Sequence, residues 1–223
     1  MALEPQDERV RGELTRLIAR LGHAPSLAEL AATAGLSPEE TEVSLQRLHD
    51  AHSLLLHPGT TRPWVVHPFA LSAGGCWVET PGRGYWANCL YCGFGIVQAL
   101  ACEAVVTVRY GGEGRTAQYR VGPGAGPESD DVFHLSTPVR HWWDNVIAAC
   151  ASFQPFVSEG EVDAWCARHD LPRGAVLSMP QLWRFAGDWY GGYVREPWKK
   201  RTAGQIREVF ERNGLTGDFW RVG

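Results

Sequence analysis

No apolar stretch in this sequence approaches the roughly 18 residues needed to span a bilayer, so no membrane partner is expected. The N-terminus, Met-Ala-Leu-Glu-Pro-Gln-Asp-Glu, lacks the apolar core of a signal peptide, and a cytoplasmic location is the expectation. A basic excess is also missing. Lys and Arg number 21 against 25 Asp and Glu, a formal charge of −4, which gives no reason to expect a nucleic-acid partner. The glycine-rich run from Gly122 to Pro127 lacks the Lys-Ser/Thr ending of a phosphate loop and reads as a surface linker. There is no second Cys-x-x-Cys and no His pair at zinc spacing, which argues against a closed structural zinc site.

What is present fits an α+β protein. At 223 residues, 44% hydrophobic and 21% charged, the chain is long enough for one full globular domain plus a small one. Residues 1–70 read as a helical, winged-helix-like domain. Apolar spacing predicts a helix over Asp7–Leu21 ended by Gly22, and a second over Leu27–Ala34 closed by Gly35. The third opens on Ser37-Pro38-Glu39-Glu40, with Ser37 as cap and Glu40 completing a capping box. Leu54–Leu56, a His57-Pro58-Gly59 turn and Trp64–Val66 form the expected wing. The order suggests a DNA-binding regulator, but the charge opposes it. The third helix carries Glu39, Glu40, Glu42 and Asp50 against Arg47, and residues 1–70 hold nine acidic and six basic side chains.

Residues 71–223 read as a mixed sheet domain with flanking helices. Strands are expected at Cys76–Glu79, Ala104–Tyr110, Thr116–Val121 and Val132–Leu135, with a hairpin turn at Gly111-Gly112. Thr137-Pro138 is expected to start a helix running through Trp142 and Trp143 to Ile147, with the chain extended around Cys150–Phe153. Further helices are expected from the Ser158 capping box to His169, over Pro180–Tyr190 and over Thr202–Asn213. Lys199-Lys200-Arg201 reads as the start of a solvated basic face.

Asn88-Cys89-Leu90-Tyr91-Cys92 carries the most chemical information. An apolar run follows it, so Asn88 is the expected helix cap and Cys89 the first helical residue. Both sulfurs then lie on one face, and the helix N-terminus favours thiolate, which binds soft metals and attacks electrophiles. Six cysteines in such a chain argue against a disulfide framework. Cys76, Cys102 and Cys166 read as small buried hydrophobes. A redox pair is the other reading of Cys89-x-x-Cys92. It needs a strand before the motif and a later cis-proline; Pro155 or Pro180 is available, but the domain order does not fit.

Three stretches resemble the organomercurial (alkylmercury) lyases. Tyr85-Trp86-Ala87-Asn88-Cys89 is similar to the aromatic lead-in to that family's first catalytic cysteine. Cys150, followed by Phe153, Phe156, Ser158 and Asp163-Ala164-Trp165-Cys166-Ala167-Arg168-His169, is similar to the surroundings of its second. Gly214-Leu215-Thr216-Gly217-Asp218-Phe219-Trp220 resembles the tail of some members. The resemblance implies a carbon–mercury lyase that captures a small organometallic substrate and releases hydrocarbon and Hg(II). Cys89 and Cys150 match the two catalytic cysteines. The third position of the family, three residues after the first cysteine and usually Asp, is Cys92 here.

Two thiolates on mercury weaken its bond to carbon, and a proton must then reach that carbon. Cys92 either carries this proton or acts as a third ligand that traps the metal. The alternative is therefore a non-catalytic protein that holds Hg(II) or Cu(I) on Cys89, Cys92 and Cys150. Asp144, His141 and Tyr91 are substitute acids, and Trp86, Trp142 and Trp143 are candidate walls for the organic group. No dissociable cofactor is required. Hg(II) is the bound product, and cellular thiols are the partners that release it.

Overall fold

A computed structural model describes residues 3–222; Met1, Ala2 and Gly223, at the outer ends of the two expected domains, lie outside the described residues. Three helices come first: α1 (Pro5–Leu21), α2 (Leu27–Ala34) and α3 (Pro38–Asp50). Local chemistry sets their ends. Gly22 takes φ 81° and Gly35 φ 67°, a left-handed turn that a side chain resists, while Ser26 and Ser37 each accept a backbone N–H in a capping box.

Strands β1 (Leu55–Leu56), β2 (Pro63–Val66) and β3 (Phe69–Ala70) follow. The hairpin they form does not stand free as a wing. Ala70 pairs with Trp86 in β5 (Arg83–Ala87), which joins the hairpin to β4 (Cys76–Thr80), β6 (Ala104–Arg109) and β7 (Thr116–Val121). The result is one antiparallel seven-stranded sheet in the order β1-β2-β3-β5-β4-β6-β7. A second sheet, β10-β8-β9, consists of β8 (Val132–Leu135), β9 (Gln154–Phe156) and β10 (Ala175–Ser178). Sequence periodicity does not reveal β3, β5, β9 and β10. They are short, and β5 carries two aromatics and a glycine in place of an alternating pattern.

Helix α4 (Leu90–Leu100) lies between the large sheet and α7 (Met179–Tyr190). It is apolar all round because both sides are covered. Two glycines set its depth. A Cβ on Gly93 would lie 2.5 Å from Cys76 Sγ on the sheet, and one on Gly95 would collide with the Tyr190 ring on α7. The helix therefore approaches both neighbours more closely than alanine permits. Its cap is Cys89 rather than Asn88, one residue later than expected.

Two further expectations fail. No helix runs through Trp142 and Trp143. Val139–His141 makes a single 3-10 turn, and Asn145 then caps a new helix, α5 (Val146–Ala151). Cys150 therefore lies in the last turn of α5 and not in an extended segment. The cause is local: the Asn145 side chain accepts the Ala148 N–H at 3.1 Å and restarts the helix there. The remaining helices, α6 (Glu159–His169) and α8 (Ala203–Arg212), stand near their expected places. Lys199, Lys200 and Arg201 precede α8 and do not form a helical face. No helix among the described residues is long and apolar enough to cross a membrane.

Replacing Gly93 by Ala is expected to lower stability by about 1–3 kcal/mol through overpacking against Cys76 and Val106. Urea denaturation of the purified variant measures this. An unchanged midpoint would mean that α4 is free to shift off the sheet.

Candidate active site: three thiols beneath an aromatic cavity

The seat of α4 delivers Cys89 and Cys92 to one point. Cys89 caps the helix, Cys92 lies in its first turn, and their sulfurs are 3.8 Å apart. Cys150 arrives from the end of α5, which Ser152 anchors by bonding Ser136 at 2.5 Å. All three cysteines are buried and free. The fold thus brings together the three residues that the sequence pointed to. It adds His67, from the turn between β2 and β3. Its Nε2 is 4.0 Å from Cys150 Sγ, and the donor atoms of His67, Cys92 and Cys150 all lie within 4.8 Å of one another.

The cluster divides its protons unequally. Burial pushes the Cys89 thiol up, but hydrogen bonds from Cys150, from Cys92 and from the Cys92 backbone N–H outweigh it and hold Cys89 well below the ordinary thiol value. Cys92 is held up by its bonds to Cys150 and Cys89 and then by burial. Cys150 is raised first by its bond to Cys89, against a smaller opposing effect of Cys92. Of the three, Cys89 is thus the sulfur favoured to ionise first. Burial also keeps His67 neutral, lowering it to about 4.

Cys92 and Cys150 line a cavity of about 430 Å³, and Cys89, beside Cys92, does not. Trp142 and Trp143 line the cavity as expected. Trp143 stacks on His52 at 5.1 Å and meets His67 edge-on at 5.8 Å. Trp86 does not reach it: this side chain packs on Trp77 at the outer surface, 37% exposed. Of the substitute acids, His141 and Asp144 pair with each other at 2.8 Å at the exposed surface and do not line the cavity. Tyr91 does line it; burial raises its hydroxyl well above the ordinary value, and that hydroxyl has no hydrogen-bond partner.

Several lining residues escaped the sequence reading. Arg11, Tyr193 and Trp198 are among them; Lys200, exposed as expected, and Arg201, half-buried, also line it. Arg11 left a signal. It shares the buried face of α1 with Leu14 and Ile18, and a cation in an apolar stripe marks a buried charge. His67 left none, because only the pairing of β3 with β5 carries its turn to the sulfurs. The other cysteines stand apart. Cys76 is buried under Gly93, Cys102 is half-buried, and Cys166 lies 3.6 Å from His134 in a separate small core.

A family model described as alkylmercury lyase (MerB) matches residues 69–191, more than half of the chain. The crystal structure of the mercury-bound form of MerB2 superposes with a TM-score of 0.69 at 15% sequence identity. It covers 86% of this chain and 93% of that one, a likeness of fold. No curated protein matches the chain.

Two measurements check the electrostatics. Ultraviolet thiolate absorbance is expected to rise in a single step well below the ordinary thiol value of about 8.5 and to vanish in Cys89→Ser. Persistence of the step in that variant would place the charge on another sulfur. His67 binds a proton in the unfolded chain near 6.5 but in the fold only near 4. Stability is therefore expected to fall as pH drops from 6.5 towards 4, by up to about 2–3 kcal/mol. Chemical denaturation across that range should give a smaller slope in His67→Gln; an equal slope would assign the loss to other groups.

Proposed function

This chain belongs to the alkylmercury lyase family, and from that premise we propose that it cleaves carbon–mercury bonds with Cys89, Cys92 and Cys150. The observation that carries the proposal is the buried cluster of free thiols, with the Cys89 and Cys92 sulfurs 3.8 Å apart and the Cys150 sulfur within 4.8 Å of that of Cys92. It holds both the nucleophile and the proton that protonolysis needs.

The steps balance without an outside acid. The Cys89 thiolate bonds to mercury in R–Hg–X and expels X⁻. Cys92 then gives its proton to the carbon, the Cys150 sulfur bonds to mercury in place of R, and the Cys150 proton returns to Cys92. The products are R–H and Hg(II) held by Cys89 and Cys150. An external thiol then exchanges the metal away. Soft thiolate suits each of these steps, and a dry site strengthens the transfer of charge between the sulfurs. In this reading Cys92 does the work of the carboxylate expected at its position.

A second reading has its own support. His67, Cys92 and Cys150 can hold a soft ion as a nitrogen and two sulfurs. In this alternative the protein binds Hg(II) or Cu(I) without cleaving anything.

Headspace gas chromatography of the protein with methylmercury and excess thiol separates the two. Many turnovers of methane are expected, with a loss of at least about a hundredfold in Cys92→Ser, in the range of general-acid effects, and no methane from Cys89→Ser. Methane from Cys92→Asp but none from the native chain would favour the metal trap.

A further inference from the structure

The cavity carries a charge that the thiol chemistry does not use. Arg11, Lys200 and Arg201 line it, and no Asp or Glu does, in a chain where acidic side chains outnumber basic ones 25 to 21. Among the described residues none of the three cations is in an ion pair, and the hydrogen bonds of their side chains end on neutral oxygens; the Lys200 backbone N–H donates to Glu8 Oε1 at 3.4 Å. Arg11 is fully buried and donates to Ser53 O at 2.9 Å, His67 O at 2.7 Å and the Thr15 hydroxyl. Lys200 Nζ donates to Ala51 O. Arg201 donates to the Tyr193 hydroxyl at 3.0 Å, Trp189 O at 2.7 Å and Asp188 O at 3.4 Å.

Aromatic rings hold the two guanidiniums around one space. Arg11 lies 5.3 Å from the Trp198 ring and 5.9 Å from Tyr193, and Arg201 lies 5.5 Å from Tyr193 and 4.9 Å from Trp189. Two polar groups of the same wall lack partners. The Tyr91 hydroxyl and Trp198 Nε1 are buried, at 4% and 8% residue exposure, and make no hydrogen bond within the protein. Indole N–H only donates, and a phenol held neutral donates readily, so both call for an acceptor. A buried Arg11, a half-buried Arg201 and an exposed Lys200 that line one cavity, with no carboxylate in its walls, are complementary to an oxyanion. Arg11 also lies close to the reacting sulfurs, since it bonds the backbone oxygen of His67, whose ring meets Cys150.

We propose that Arg11, Lys200 and Arg201, with Tyr91 and Trp198, form a carboxylate subsite for the molecule that brings mercury to the thiols. This deepens the lyase reading and rests on it for the role of the site. The carboxylate has two possible sources: the organic group of the substrate, or the small thiol that mercury carries in with it.

The first test needs no mercury, so its outcome is independent of cleavage. Calorimetric titration of the full chain with benzoate and with benzamide is expected to give at least tenfold tighter binding of the anion. That gap should shrink severalfold in Lys200→Gln and Arg201→Gln, each checked for an unchanged melting temperature. Equal affinities in the native protein would overturn the subsite whether or not the variants fold. Turnover then identifies the source. A severalfold lower KM for 4-carboxyphenylmercury than for phenylmercury, both with 2-mercaptoethanol, assigns the carboxylate to the organic group. A severalfold lower KM for phenylmercury with 3-mercaptopropionate than with 2-mercaptoethanol assigns it to the thiol. Cleavage with neither effect would overturn the proposal while leaving the lyase reading intact.

Discussion

The close seating of α4 is the constraint on which the rest depends. Gly93 lets the helix down onto the sheet at Cys76, and Gly95 lets Tyr190 down onto the helix. Interiors pack at crystal-like density, so a displacement here cannot be absorbed locally. The helix N-terminus is thereby fixed at one depth, with Cys89 and Cys92 facing the end of α5. Burial then acts on the three sulfurs together. A dry pocket tolerates one negative charge more easily than two or three. Hydrogen bonding favours that charge on Cys89 and opposes it on Cys92 and Cys150. The proton inventory of the site thus follows from packing as much as from the identity of the residues.

The N-terminal helices take part in this site. Arg11 on α1 ties Ser53, His67 and Thr15 together and faces the cavity, and His52 supports Trp143 from the end of the same helical unit. Tyr85 on β5 reaches back to Ala19 O at 2.6 Å. The hairpin that follows the helices continues the large sheet and carries His67 to Cys150. Within the fold, the N-terminal helical unit and its hairpin supply part of the wall of the thiol pocket through Arg11, His52, Ser53 and His67.

Local signals were read well where the physics is local. Gly22, Gly35, Ser37 and Ser158 mark helix ends because the turn or the cap bond is made within a few residues. Apolar spacing placed α7 and α8 for the same reason. The segment around Trp142 was misread because a Thr-Pro start outweighed the quieter cap at Asn145, and so Cys150 was given the wrong backbone. Trp86 and Trp143 look alike in sequence. One lies on the outer face of an antiparallel ladder and the other under His52, a difference set by strand register and chain crossing that no periodicity encodes.

The sequence by itself determined the candidates. Cys89 and Cys92 stand out by side-chain type and short-range spacing, Cys150 by the resemblance of its flanking residues to a family, and the α+β class by local periodicity, because all of these are written in the order of residues. The tertiary structure decided which residues line the pocket, that Arg11, Lys200 and Arg201 share it with Cys92 and Cys150, and that His67 stands beside Cys150. Those facts depend on desolvation and on contacts between segments as distant as Arg11, His67 and Arg201, and such contacts exist only once the chain has closed on itself.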